Sequence, residues 1–104
     1  MNLNLEGKVA IITGGSDGIG KAAALSMSRE GARVAIAART EETLVEAASQ
    51  ISTETGNEVI GISADVSDET QVESLIRQVA DKWGQIDIIV NNAGTSSVAR
   101  LQEM

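Results

Sequence analysis

The chemistry most legible in this chain lies in one stretch, Thr13-Gly14-Gly15-Ser16-Asp17-Gly18-Ile19-Gly20, which reads T-G-x-x-x-G-x-G. It follows the apolar run Val9-Ala10-Ile11-Ile12 and opens an Ala-rich segment, Lys21–Leu25. A strand, a glycine-rich turn and a helix N-terminus in that order make a phosphate site. The helix start presents unpaired N–H groups and the positive end of its dipole. Glycines let the backbone approach an anion where a Cβ would clash. A tight turn without ligand is the structural alternative. The spacing differs from the G-x-G-x-x-G of the common dinucleotide fingerprint, being wider at its first step.

Further chemistry falls after other apolar runs. The run Val34–Ala38 leads into Arg39. An NAD site usually places an acidic residue there for the ribose 2′-hydroxyl. Ala38 cannot do this, whereas Arg39 suits a 2′-phosphate, because its planar fork can pair with phosphate oxygens. A solvated Arg39 paired with Glu41 or Glu42 is the alternative. Ser16 could add a hydroxyl to the same phosphate, and Asp17 opposes it. The run ending at Ala64 leads into Asp65-Val66. Asp65 could accept from an adenine amino group while the Val66 N–H meets a ring nitrogen, or Asp65 could cap the turn. The run Ile86–Val90 leads into Asn91-Asn92-Ala93-Gly94, whose amides can cross-link strand ends, line a ribose, or both.

These residues need elements that bring them together. Strands are expected at Lys8–Thr13, Arg33–Ala38, Glu58–Ala64 and Ile86–Val90, because each is a short apolar run bounded by turn residues. Between them lie three helical periods. The first, Gly18–Glu30, is assigned a face of Ile19, Ala22, Ala23, Ser26 and Met27, with Gly31 as a left-handed terminator. The second has Thr40 as its cap, a face of Leu44, Ala47, Ala48 and Ile51, and ends at Gly56. The third has Ser67 or Asp68 as cap, Gln71 placed for a capping box, and the widest apolar stripe: Val72, Leu75, Ile76, Val79, Ala80 and Trp83. It ends at Gly84. Thr95–Met104 is read as a loop, with room for the first turn of another helix. The order β-α-β-α-β-α-β implies a parallel sheet with right-handed crossovers, strand order 3-2-1-4, and a crevice at the carboxyl end of the first strand. The strand ends named above therefore converge.

Composition narrows the classes. The 104 residues suffice for one small domain, and with 42% hydrophobic residues but only 1% aromatic its core must be aliphatic. A net charge of −7 without a Lys/Arg cluster argues against nucleic acid or an anionic membrane as partner. No Cys and no His are present, which removes thiol catalysis, disulfides and most zinc chemistry. No signal peptide or membrane-length apolar run is visible, so the expectation is a soluble, cytoplasmic protein.

Taken together, TGGSDGIG at Thr13–Gly20, Asp65 within ADV, and NNAG at Asn91–Gly94 resemble the short-chain dehydrogenase/reductase family in order and context. VAIAAR at Val34–Arg39 is similar to its NADP-preferring members. The likeness runs from about Leu5 to Gly94. It implies a Rossmann-type doubly wound parallel sheet, βαβαβαβ, and hydride transfer between a nicotinamide cofactor and a carbonyl or alcohol carbon. It implies NADP(H) in preference to NAD(H), and a homo-oligomer. Carried onto this chain, the cofactor-binding residues are Gly14, Ser16, Gly18, Ile19, Gly20, Arg39, Asp65, Val66, Asn91, Ala93 and Gly94. The family's catalytic Ser, Tyr-x-x-x-Lys and helix Asn lie beyond NNAG. This sequence has no Tyr, and Lys21 and Lys82 sit on the wrong helices to replace them. The expectation is an N-terminal, truncated cofactor-binding half with no catalytic residue, inactive alone. In such a half the fourth strand would be an exposed apolar edge prone to association. The alternative is a non-catalytic nucleotide-binding product. A methyltransferase is disfavoured, since it would want an acid at the end of the second strand.

Overall fold

Residues 5–14 and 18–91 are described by a computed structural model of the chain. Ser16, Ala93, Gly94 and the Thr95–Met104 segment lie outside them.

The consecutive apolar residues Val9–Thr13 form β1, buried along its whole length. Then come α1 (Gly18–Arg29), β2 (Arg33–Ala38), α2 (Glu41–Thr55), β3 (Val59–Ser63), α3 (Glu69–Trp83) and β4 (Ile88–Asn91). The sheet is parallel with strand order β3-β2-β1-β4, as the alternation of strands and helices requires. This is the Rossmann-type doubly wound arrangement.

Side chains alternate across a strand, so β1 and β2 must supply two cores. Ile12, Val34 and Ile36 pack on one face with Leu44, Ala47, Ala48 and Ile51 of α2 and Ala24 of α1. Val9, Ile11, Ala35 and Ala37 pack on the other with Leu75 and Val79 of α3. The handedness rule explains the split. The crossovers β1→β2 and β2→β3 step one way along the sheet, and β3→β4 steps back, so α3 must lie on the opposite face.

The α2 face is as the period predicts, with Leu44, Ala47, Ala48 and Ile51 buried. The α1 face is not. Its buried residues are Gly20, Ala24 and Ser28, while Ile19 is 78% exposed. Small residues at i, i+4 and i+8 bring the helix axis close to the sheet, which a stripe of larger side chains would prevent. On α3 only Leu75 and Val79 are buried, and Ile76 is 36% exposed. Its stripe is wider than the part of the sheet beneath it.

Two capping expectations are corrected. Thr40 is the N-cap of α2 by backbone only, its side chain making no cap bond. Asp68 caps α3, accepting from the Thr70 N–H at 3.0 Å. No capping box forms there, because the Asp68 N–H is already bonded to the Asp65 carbonyl at 2.9 Å. Gln71 turns elsewhere: its Oε1 accepts from the Asp65 N–H at 2.8 Å and its Nε2 donates to Asp68 at 3.3 Å. Gly31, Gly56 and Gly84 all take positive φ at helix ends, as expected. A side chain at Gly31 would in addition come within 2.9 Å of the Glu6 backbone.

β4 begins two residues later than its apolar run. At that point Asp87 grips β1 twice: its N–H donates to the Val9 carbonyl at 2.8 Å, and its Oδ2 accepts from the Val9 N–H at 2.8 Å. Gln85 Nε2 steadies the same carboxylate at 2.7 Å and also donates to the Gly7 carbonyl at 2.9 Å. Among the described residues β4 pairs only with β1, and Ile88, Ile89 and Val90 are half-buried. No described helix is long and apolar enough to cross a membrane.

Val9 is wholly buried, so losing the Asp87 acceptor would strand its N–H. Asp87→Ala should lower stability by about 1–3 kcal/mol. Asp81→Ala on the exposed face of α3 should stay within about 0.5 kcal/mol of the parent. Urea unfolding followed by Trp83 fluorescence measures both, and equal losses would remove the special role of Asp87.

Candidate functional site

The strand ends come together at one edge of the sheet. Thr13, at the end of β1, registers with Ala37 on β2 and with Asn91 on β4. Sheet order reverses here, since β1 leads out to β2 on one side and receives β4 on the other. Ligand crevices of doubly wound sheets open at this point.

Gly14 leaves β1 with φ +71°, a conformation that favours glycine, and its N–H donates to the Ala37 carbonyl at 2.7 Å. The glycine turn is thereby tied to β2 at its first residue. α1 starts at Gly18. Its first turn holds no acidic residue, whereas α2 opens with Glu41 and Glu42 and α3 with Glu69. A Cβ placed on Gly18 would meet nothing within 4 Å. Packing among the described residues therefore does not demand glycine at this position; close approach of a ligand would. Gly20 is buried. Ile19 projects outward beside it.

Arg39 leaves β2 exposed. No described carboxylate lies within ion-pair distance of its guanidinium, so the alternative pairing with Glu41 or Glu42 is absent. Its backbone carbonyl accepts from Ser63 Oγ at 3.2 Å.

Asp65 follows β3. Its Oδ1 accepts from Ser67 Oγ at 2.7 Å and from the Ser67 N–H at 3.0 Å, an Asx turn of the kind its capping alternative supposes. The Ser67 hydroxyl, then the Ser67 N–H, and more weakly the Arg39 charge hold this carboxyl below its ordinary value of 3.8, against a small opposing effect of desolvation. Both hydrogen bonds use Oδ1, and neither of the turn's donors occupies Oδ2. The turn and a ligand contact are therefore compatible. Val66, next along, lines an apolar cleft of about 270 Å³ beneath α3 together with Thr13, Ile76, Ile89 and Asn91.

Asn91 ends β4. Thr13 Oγ1 donates to its Oδ1 at 3.0 Å, the cross-link between strand ends that the amide allows. With that oxygen taken, the amide plane of Asn91 is oriented. Thr13, Ser63, Ser67 and Gln71 were not singled out as site residues in the sequence. Thr13 stood in plain view as the first residue of the glycine motif, but the others act only through register and turn geometry. Of the eleven candidates, Gly14, Gly18, Ile19, Gly20, Arg39, Asp65, Val66 and Asn91 are described and lie at or beside the strand ends.

A model of the family described as short chain dehydrogenase matches residues 8–104. The chain belongs to the short-chain dehydrogenase family. A sorbitol dehydrogenase from Cereibacter sphaeroides is 41% identical over 102 residues, covering 98% of this chain and 38% of that protein. The L-sorbose reductase of Gluconobacter frateurii, solved in complex with NADPH and L-sorbose, matches with a TM-score of 0.87 at 38% identity, covering 100% of this chain and 40% of that one. An NAD⁺-bound xylitol dehydrogenase matches with a TM-score of 0.79 at 31% identity, covering 84% of this chain and 33% of that one. This short-chain dehydrogenase chain thus spans well under half the length of these relatives.

Because the folded pKa of Asp65 is depressed, its contribution to stability is complete above the ordinary carboxyl range and fades as pH falls through the lowered value. Ser67→Ala removes the larger cause. The Asp65 carboxyl should then titrate at a higher pH in a ¹³C NMR titration, moving back toward its ordinary value. An unmoved midpoint would dismiss the Ser67 hydroxyl as the cause.

Proposed function

We propose that this chain is the cofactor-binding part of an NADP(H)-dependent oxidoreductase acting on a carbonyl or alcohol substrate. The observation that carries the reading is Arg39. It stands at the end of β2 with no carboxylate at Ala38 and no described ion pair, beside a phosphate-type turn whose Gly18 leaves open space.

In this reading Gly14, Ser16, Gly18, Ile19 and Gly20 hold the pyrophosphate and adenosine ribose, chiefly by main-chain N–H groups at the α1 N-terminus. Arg39 takes the 2′-phosphate by charge and paired hydrogen bonds. Asp65 and Val66 bracket the adenine. Asn91, Ala93 and Gly94 run toward the nicotinamide side. The bound nicotinamide would supply the hydride. Proton transfer to or from the substrate oxygen needs a separate acid–base group. The sequence contains no Tyr and no His, and we assign no catalytic residue to it. For the 104-residue chain by itself, the reading is nucleotide binding without turnover.

Removing a charged, bidentate partner from a phosphate loses about 1.5–3 kcal/mol. Arg39→Ala should therefore weaken NADPH binding by roughly 10- to 100-fold while leaving NADH affinity nearly unchanged. Isothermal titration with the two cofactors reads the ratio, and an unchanged ratio would overturn the assignment.

A further inference from the structure

Among the described residues Arg39 is anchored at only one end. Its guanidinium has no described ion pair, so the reach and direction of the side chain depend on the backbone from which it springs. That backbone is a short junction between β2 and α2. On the helix side it receives no side-chain cap from Thr40. Thr40 contributes only its carbonyl, which accepts from the Leu44 N–H at 3.2 Å and from Thr43 Oγ1 at 3.1 Å. On the sheet side, Ala38 is the last residue of β2 in register with Ser63, and its carbonyl accepts from the Ala64 N–H at 2.9 Å. One residue further on, the Ser63 hydroxyl donates to the Arg39 carbonyl at 3.2 Å. This bond continues the β2–β3 lacing past the end of the strand, to the residue whose direction matters.

Resting on the reading of Arg39 given above, we infer that Ser63 is a positioning residue for 2′-phosphate recognition: its hydroxyl holds the Arg39 main chain and so presents the guanidinium where β2 and β3 open. Ser63 need not touch the ligand. It acts by reducing the freedom that Arg39 would otherwise lose on binding, and preorganisation of this kind raises affinity without a new contact. Because it acts through Arg39, its effect belongs to the phosphate alone. A merely structural serine would, when lost, loosen the end of β3 and weaken every adenosine ligand alike, including contacts made by Asp65 two residues away.

The test uses two probes that differ only in the group at issue, adenosine 2′,5′-bisphosphate and adenosine 5′-phosphate, titrated into the 104-residue chain and its variants by calorimetry. Ser63→Ala should weaken the bisphosphate roughly threefold, the effect of one modest hydrogen bond, and leave the monophosphate unchanged. Ser63→Thr keeps the hydroxyl and should keep the ratio. In an Arg39→Ala background, Ser63→Ala should change nothing further. If the parent chain shows no preference for the bisphosphate, or Arg39→Ala leaves its preference intact, the cofactor reading falls and this inference with it. If Arg39→Ala removes the preference but Ser63→Ala does not lower it, or lowers both affinities equally, the cofactor reading stands and the inference about Ser63 is overturned.

Discussion

The ligand end of this sheet depends on the register of β1 against β4. β1, like β2, is bonded on both sides and covered on both faces, and the glycine turn springs directly from it. β4 is short and, among the described residues, pairs on one side only. A slip of one residue would turn Ile89 away from the α3 face and carry Asn91 out of reach of Thr13. Two polar grips prevent this at opposite ends of the pair. Asp87 seizes both the N–H and the carbonyl of Val9 at the start. Thr13 binds the Asn91 amide at the finish. Between them, hydrophobic packing has only to fill space, because the alignment is already set by directional bonds.

The same logic extends outward from β1. Gly14 bonds to Ala37, Ser63 to Arg39, and Gln71 to Asp65. Each strand end is held by its neighbour's side chain or main chain just beyond the regular ladder. The groups proposed to meet the cofactor thus rest on crossed supports rather than on free loops. Arg39 is the exception in one respect, for its charged end makes no ion pair among the described residues while its backbone is held. Elsewhere Arg29 pairs with Glu54, and Arg33 and Lys82 share Glu58. These are exposed pairs of small energetic worth, whereas the Arg39 guanidinium, with no ion pair among the described residues, is the group proposed to meet a phosphate.

Much of this was legible in the sequence. The alternation of apolar runs with helical periods determines the order β3-β2-β1-β4, because handedness leaves few other topologies. Glycine spacing, Arg39, Asp65 and Asn91 locate the strand-end cluster. What stayed hidden has physical causes. The buried face of α1 is built from Gly20, Ala24 and Ser28, and hydrophobic period favours bulk where this contact favours smallness. Thr40 has the right chemistry for a cap, yet the helix starts without its hydroxyl. Gln71 has the right spacing for a capping box but finds a better donor in the Asp65 N–H. Such choices between competing local bonds are settled by the approach of β3 and α3, which no short window of sequence contains.

The central claim is that one dinucleotide lies across these strand ends. Titrating the ¹⁵N-labelled chain with NADPH and following every backbone amide tests it most directly. The account predicts the largest shifts at Gly14 and Gly18–Gly20, with Arg39, Asp65, Val66 and Asn91 moving in the same saturable transition. Shifts centred instead on the exposed outer face of α2, or no saturable shifts at the strand ends, would contradict it.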